Sequence, residues 1–304
     1  MSSSATPSSK RAAIAQLTST SSKLSNLVDT AKCAGLAQRA GASMLFLPEC
    51  FGFMGTSAEE TVREADPPVR TDKEDAAEGT SNNAQISDLL RETVSSSAKN
   101  EALPSNDKIV SLAKKHLNII IFDALKTIAK ESGLWISAGG MHVSGAPPDK
   151  ESGKARIYNT HLILDNHGVV KCLYRKIHLF DVSIPDKVNL RESATTAPGT
   201  ELVVCDSPLG KLGLSTCYDV RFPEMYVTLV HELGAQIILV PSAFTVPTGS
   251  AHWHVLLRGR AIEHQCYVLA AAQYGRHNEK RESYGHSLAV DPWGKVIADA
   301  GGCD

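Results

Sequence analysis

No uninterrupted apolar run in this 304-residue chain approaches the roughly 20 residues that a helix needs to cross a bilayer, so it is not an integral membrane protein of that kind. Neither sign of charge dominates. The 31 Lys and Arg stand against 33 Asp and Glu, and the net charge of −2 leaves no basic field for nucleic acid or an anionic membrane surface. Met1 to Lys10 lack the apolar core of a secretory signal and read as a flexible, Ser-containing tail. The seven cysteines are odd in number and include no CxxC pair, which fits neither a disulfide framework nor a structural zinc site. What these absences leave is a soluble globular protein, 42% hydrophobic, with a small-molecule partner. It is expected in the cytoplasm, with a mitochondrial fraction left open, and one of its cysteines is available as a nucleophile.

The apolar pattern opens with a β-α-β unit. Ala12–Leu17 reads as a buried strand, Ser22–Ala40 as a helix closed by Gly41, and Met44–Leu47 as a short strand ending at Pro48-Glu49. Residues 57–108 then change character, with twelve acidic against six basic residues and many Ser, Ala, Asn and Thr. That composition predicts a disordered surface insertion. Beyond it come a helix ending near Ser132, the strand Leu134–Gly140, and a hairpin-like pair, Ile157–Leu164 and Val169–Tyr174. Two strands around Pro208-Leu209-Gly210 follow, then helices Pro223–Leu233 and His252–His264 separated by the buried strand Gln236–Val240. The strands Tyr267–Ala272, Tyr284–Val290 and Val296–Ala298 complete an α/β chain with more strands than helices. Two packed sheets covered by helices suit that mixture.

Three strand ends carry chemistry. The strand before Cys217 gives way to Pro223-Glu224, a good first helical turn, so Cys217 falls in a strand-to-helix turn. Backbone N–H groups there can favour a thiolate and hold an oxyanion, although the local pattern alone fits a buried structural cysteine better. Glu49 ends a second apolar strand and offers a general base, or a loop acid. Lys176 ends a third, within Tyr174-Arg175-Lys176-Ile177-His178-Leu179. It offers an oxyanion partner, or one member of a solvated basic cluster.

In combination, Leu47-Pro48-Glu49, the Lys176 motif and Thr216-Cys217-Tyr218-Asp219-Val220-Arg221-Phe222-Pro223-Glu224 resemble the nitrilase superfamily, whose members share a Glu-Lys-Cys triad in this chain order. The resemblance runs from about Arg11 to the end, the insertion apart. Glu192, in Arg191-Glu192-Ser193 before Pro198-Gly199, matches the family's second active-site glutamate. Pro241-Ser242-Ala243-Phe244, Ala251-His252-Trp253, Gly275-Arg276-His277, Glu279-Lys280-Arg281 and Ser283-Tyr284-Gly285-His286 are most similar to the branch of deaminated glutathione amidases.

The resemblance implies a single carbon-nitrogen hydrolase domain over residues 11–304, folded as a four-layer α-β-β-α sandwich. It implies amide hydrolysis through a cysteine thioester, with no metal and no organic cofactor. Cys217 is then the nucleophile, Glu49 the general base, and Lys176 with the Tyr218 N–H the oxyanion partners. Arg221, Phe244, Trp253, Arg276, His277 and Lys280 are the candidates for substrate contact. The His252-Trp253-His254 run does not read as a metal site, because helix neighbours point to different faces. Rival readings are an ω-amidase or nitrilase acting on another small amide or nitrile, and a catalytically silent scaffold of the same fold. The family also implies a homodimer or higher homo-oligomer if the C-terminus is complete, since the chain stops at Asp304, before the family's usual final strand and tail.

Overall fold

The computed structural model describes residues 10–69, 84–116, 118–184 and 188–303. In its first half, β1 (Ala12–Ile14) and β2 (Gln16–Leu17) lead into α1 (Lys23–Arg39) and β3 (Met44–Leu47). Helices α2 (Ala58–Arg63), α3 (Ala84–Lys99), α4 (Asn106–Lys115) and α5 (Ile121–Ser132) precede β4 (Trp135–Ala146), β5 (Arg156–Leu164) and β6 (Val170–Arg175). A hairpin of β7 (Asp181–Ile184) and β8 (Val188–Arg191) ends in a 3-10 turn at Glu192–Ala194. In the second half, β9 (Val204–Ser207) and β10 (Gly210–Leu214) lead to a 3-10 turn at Cys217–Arg221, α6 (Pro223–Val227) and β11 (Ile237–Leu239). There follow α7 (Val246–His264), β12 (Tyr267–Ala270), β13 (Ala272–Arg276), β14 (Glu282–Tyr284), β15 (Leu288–Val290) and β16 (Val296–Asp299).

Two mixed sheets organise these elements. The first is five-stranded in the order β1-β3-β4-β5-β6, and the second six-stranded in the order β16-β15-β12-β11-β10-β9. Each contains three adjacent parallel strands, β1-β3-β4 along one edge of the first and β10-β11-β12 at the centre of the second, with antiparallel strands completing the sheet. β3 shows how the layers stack. Its four residues are all buried, but Leu45 and Leu47 join one apolar cluster while Met44 and Phe46 join another. Successive side chains of a strand point to opposite faces, so both faces of the first sheet are covered.

One face meets Leu27, Ala31, Leu90 and Ile128 of α1, α3 and α5. The other shares its cluster with Leu212, Ile238 and Val268 of the second sheet and with Trp253, Leu257 and Ala261 of α7. The order is therefore helix, sheet, sheet, helix, the four layers expected. Polar bridges cross the sheet-sheet interface: His161 on β5 lies 3.1 Å through Nδ1 from the Ser215 carbonyl oxygen and 2.7 Å through Nε2 from Ser137 Oγ.

The expectation of disorder over 57–108 fails where the structure describes that segment. Ser57 caps α2 by accepting the Glu60 N–H, and Ser105 caps α4 through the Lys108 N–H. Between them, α3 buries Ile86, Leu89, Leu90 and Val94, an apolar stripe of helical period that the polar average of the segment conceals. It lies so close to α1 that a Cβ on Gly35 would stand 2.3 Å from the Val94 carbonyl oxygen and 2.5 Å from Ser97 Cβ. Residues 70–83 of the segment, and 1–9 of the expected flexible tail, lie outside the described residues. Helix α7 also begins earlier than the periodicity suggests, because Pro247 is tolerated in its first turn.

Candidate active site

β3 and the Leu47-Pro48 step deliver Glu49 to a nearly dry position, 4% exposed. The backbone makes room for it at a break in strand register between Ala138 and Met141, where β4 carries Gly139-Gly140 opposite β5. Gly140 has φ +64, and a Cβ there would stand 2.8 Å from Glu49 Cγ, so this position accepts only glycine without displacing the acid. Four groups meet the carboxylate. Oε1 accepts from Asn159 Nδ2 at 2.8 Å and Lys176 Nζ at 3.1 Å, Oε2 accepts the Ala243 N–H at 3.1 Å, and the Cys217 thiol also hydrogen-bonds to it.

Lys176 follows β6, is 2% exposed, and donates its main-chain N–H to the Asn159 carbonyl at 2.8 Å. Its ammonium also reaches Glu192, at 3.1 Å to Oε1 and 2.9 Å to Oε2. The β7-β8 hairpin places Glu192 there, and Glu192 Oε2 accepts the Phe180 N–H at 2.7 Å. Cys217 opens its 3-10 turn with φ +52, a left-handed conformation that costs a non-glycine residue about 1–2 kcal/mol. That strained strand-to-helix turn has the shape of a nucleophile elbow. The residue is closely surrounded by protein yet retains some exposure.

The charges are mutually consistent. Burial pushes the Cys217 thiol well above its usual value and the Glu49 carboxylate adds to the effect, so the resting sulfur is protonated. Burial opposes the charge on Glu49, but the Lys176 ammonium and hydrogen bonds from Cys217 and Lys176 hold its carboxyl below the ordinary 4.5. Burial likewise opposes the charge on Lys176, and the carboxylates of Glu192 and Glu49 override it, raising the ammonium well above its usual value. A neutral thiol thus faces an ionised carboxylate beside a fixed cation.

Asp219 ties the cysteine turn to the lysine segment, a role the sequence reading did not assign. Fully buried, it accepts the Thr216 N–H at 2.8 Å and the Tyr174 hydroxyl at 2.6 Å through Oδ2, and the His178 N–H at 3.0 Å through Oδ1. His178 then stacks on Phe222 with ring centroids 3.7 Å apart. Asn159, which bridges Glu49 and the backbone of Lys176, was also missed. So was Arg281, whose positive charge acts on Glu49. An Asp two residues after the cysteine, at the start of a helical turn, was the legible sign for Asp219.

The expected substrate contacts divide. Tyr218 packs edge-on to Phe180 and Phe222, and the Arg221 guanidinium lies 5.7 Å from the ring centres of both Tyr218 and Phe244, beside the cysteine turn. Trp253 does not reach that space. It is 1% exposed, packs on Phe244, and donates Nε1–H to the His286 carbonyl at 2.8 Å, so it belongs to the core. His277 is also committed to the framework, buried with its ring nitrogens 2.8 Å from the Ser19 carbonyl oxygen and 2.8 Å from Ser283 Oγ. Arg276 ends β13 exposed, opposite Glu282, and Lys280 is exposed on the following turn.

Comparison with known proteins matches this architecture. The family model described as carbon-nitrogen hydrolase covers residues 11–302. The deaminated glutathione amidase of Dictyostelium discoideum is 56% identical over 182 residues, which cover 59% of this chain and 60% of that protein. The deaminated glutathione amidase of Bos taurus is 42% identical over 94% of this chain and 71% of its own length. The crystal structure of the Caenorhabditis elegans NitFhit protein matches with a TM-score of 0.70 and 37% identity, over 96% of this chain and 57% of that one. The chain thus spans only part of each relative's length. With its fold, and with the family model covering nearly all its residues, the chain belongs to the carbon-nitrogen hydrolase family.

Proposed function

We propose that the chain is an amidase that hydrolyses deaminated glutathione, using Cys217 as nucleophile. The observation that carries this reading is the convergence on one point of a neutral thiol, an ionised Glu49 and a cationic Lys176. The names of the Dictyostelium and bovine relatives support the substrate. Glu49 takes the Cys217 proton as the sulfur attacks the amide carbonyl. Lys176 and the Tyr218 N–H, early in its 3-10 turn where backbone donors are unpaired within the turn, receive the oxyanion. Glu49 returns its proton to the departing ammonia, then deprotonates the water that cleaves the thioester. Glu192 keeps Lys176 charged and in place. The substrate carries carboxylates, and Arg221, over the Tyr218 ring, and Arg281, whose charge acts on Glu49, are cations suited to receive them.

Ammonia release from deaminated glutathione tests the reading, run beside a small ω-amide of a keto acid. The expected result is faster turnover of the former, and loss of both activities in Cys217→Ala. Preference for the ω-amide would move the chain to the ω-amidases, while ammonia release unchanged in Cys217→Ala would remove the nucleophile assignment. In the unaltered enzyme quenched during turnover, mass spectrometry should find a substrate-derived acyl adduct on Cys217.

A further inference from the structure

Away from the cysteine, on the outer edge of the second sheet, two imidazoles converge on one carboxylate. His254 extends from α7, with Nε2 3.1 Å from Asp299 Oδ2. His286, in the segment between β14 and β15, places Nδ1 3.0 Å from Oδ1 and 3.1 Å from Oδ2 of the same residue. The potential ligand atoms of the three all lie within 4.8 Å of one another. We propose that His254, His286 and Asp299 form a binding site for a divalent transition metal, zinc by preference, that clamps α7 to the C-terminal strand.

The donor set is the first argument. Two imidazole nitrogens with one carboxylate suit zinc and its borderline neighbours, and leave coordination positions for water. Calcium and magnesium, which prefer all-oxygen shells, fit poorly. Preparation of the ligands is the second. Asp299 Oδ1 accepts the Gly301 N–H at 2.8 Å, which fixes the carboxylate. His286 is pinned on both sides. Its backbone has φ +54, and its carbonyl accepts the Trp253 indole from the residue adjoining His254.

The exposures also suit entry of an ion: the side chains of His254 and Asp299 are 34% and 29% exposed and that of His286 12%. Bond lengths of about 2.0–2.1 Å at a tetrahedral centre bring ligand atoms to within about 3.5 Å of one another, so the rings need to close by on the order of 1 Å. Without a metal, the same three side chains form a hydrogen-bonded cluster in which each imidazole donates to Asp299. His252 takes no part, since it faces Arg221, with Nδ1 3.2 Å from Nη2. The two histidines of the 252–254 run do diverge, and the second imidazole of the site comes from another element.

The test uses the full chain freed of metal with a chelator, titrated with Co²⁺ by absorption and with Zn²⁺ by calorimetry. One equivalent should bind with a dissociation constant in the micromolar range or tighter, and zinc should raise the melting temperature by a few degrees. His254→Ala and Asp299→Asn should each weaken binding at least tenfold, while His167→Ala, at a turn remote from the cluster, should leave it unchanged. Circular dichroism of the metal-free variants separates loss of binding from loss of fold, and the near-isosteric Asp299→Asn serves if His254→Ala does not fold. Absence of binding, or binding equal in all variants, overturns the proposal. So does the intense near-ultraviolet absorption of a cobalt-thiolate bond, which would give the metal to the cysteines.

Discussion

Glu49 holds a negative charge where burial disfavours it, because Lys176, Asn159 Nδ2 and the Ala243 N–H replace the lost water. Glu49→Gln keeps the shape and removes the base on which the proposed hydrolysis rests, so kcat for ammonia release should fall by about a hundredfold or more. Because the carboxyl lies below 4.5, the acid limb of kcat/KM in the native enzyme should also lie below that value. A limb near neutrality would point to another base. Asp66 is the opposite case: burial lifts its carboxyl to about 7, against the Phe122 N–H and the Lys23 ammonium 3.9 Å away. Unfolded, it ionises near 3.8, so between pH 4 and 7 only the folded state keeps the proton, and stability falls as pH rises through that window. Asp66→Asn removes the titration. The wild-type advantage in urea unfolding should therefore shrink by on the order of 3–4 kcal/mol from pH 4 to pH 7, and a constant difference would exclude Asp66 as the source. Much of the candidate site was legible in sequence because Glu49, Lys176 and Cys217 each end an apolar strand and stand in the family's order. Asn159 and Asp219 were not, since their roles exist only through partners distant in the chain. The framework partners of His277 are illegible for the same reason: nothing near it in sequence shows that Ser19 meets one of its nitrogens.

Among the elements, α3 shows how an average hides a pattern. Charge and polarity taken over 57–108 predict disorder, yet Ile86, Leu89, Leu90 and Val94 recur at helical spacing and are buried against α1. The neighbouring α4 has no buried residue, and its Val110 is 50% exposed. The two helices should respond differently to truncation. Leu90→Ala removes a side chain with 0% exposure and should destabilise the protein by about 2–5 kcal/mol, whereas Val110→Ala should change stability by less than about 0.5 kcal/mol. Urea denaturation reads both, and equal, negligible effects would mean that the segment is peripheral throughout. By contrast, α1 was legible nearly to the residue because its end signals are local: Ser22 accepts the Ser25 N–H, and Gly41 follows with φ +69.

Across the whole molecule, the layer order came from the family motifs rather than from periodicity, because a strand buried on both faces reads as a continuous apolar run that names no neighbour. That double burial has a thermodynamic consequence. Leu45 and Leu47 belong to the cluster under α1, α3 and α5, while Met44 and Phe46 of the same strand belong to the cluster that holds the second sheet and α7. Neither cluster can lose β3 without opening the other. The sheets are also joined by His161 to Ser215 and by Tyr174 to Asp219, so separating them leaves buried polar groups unpaired. The chain should therefore unfold in one transition despite its length. Trp135 and Trp253 report on the second cluster and Trp293 is 86% exposed, so indole fluorescence follows chiefly that half, while far-ultraviolet ellipticity follows all the helices. The two signals should share one urea midpoint in the native protein. Leu47→Ala, in the first cluster, should move fluorescence as far as ellipticity, and Leu257→Ala, in the second, should do the same in reverse. If Leu47→Ala lowered the ellipticity midpoint and left the fluorescence midpoint in place, the two clusters would be separate cooperative units and β3 would not couple them.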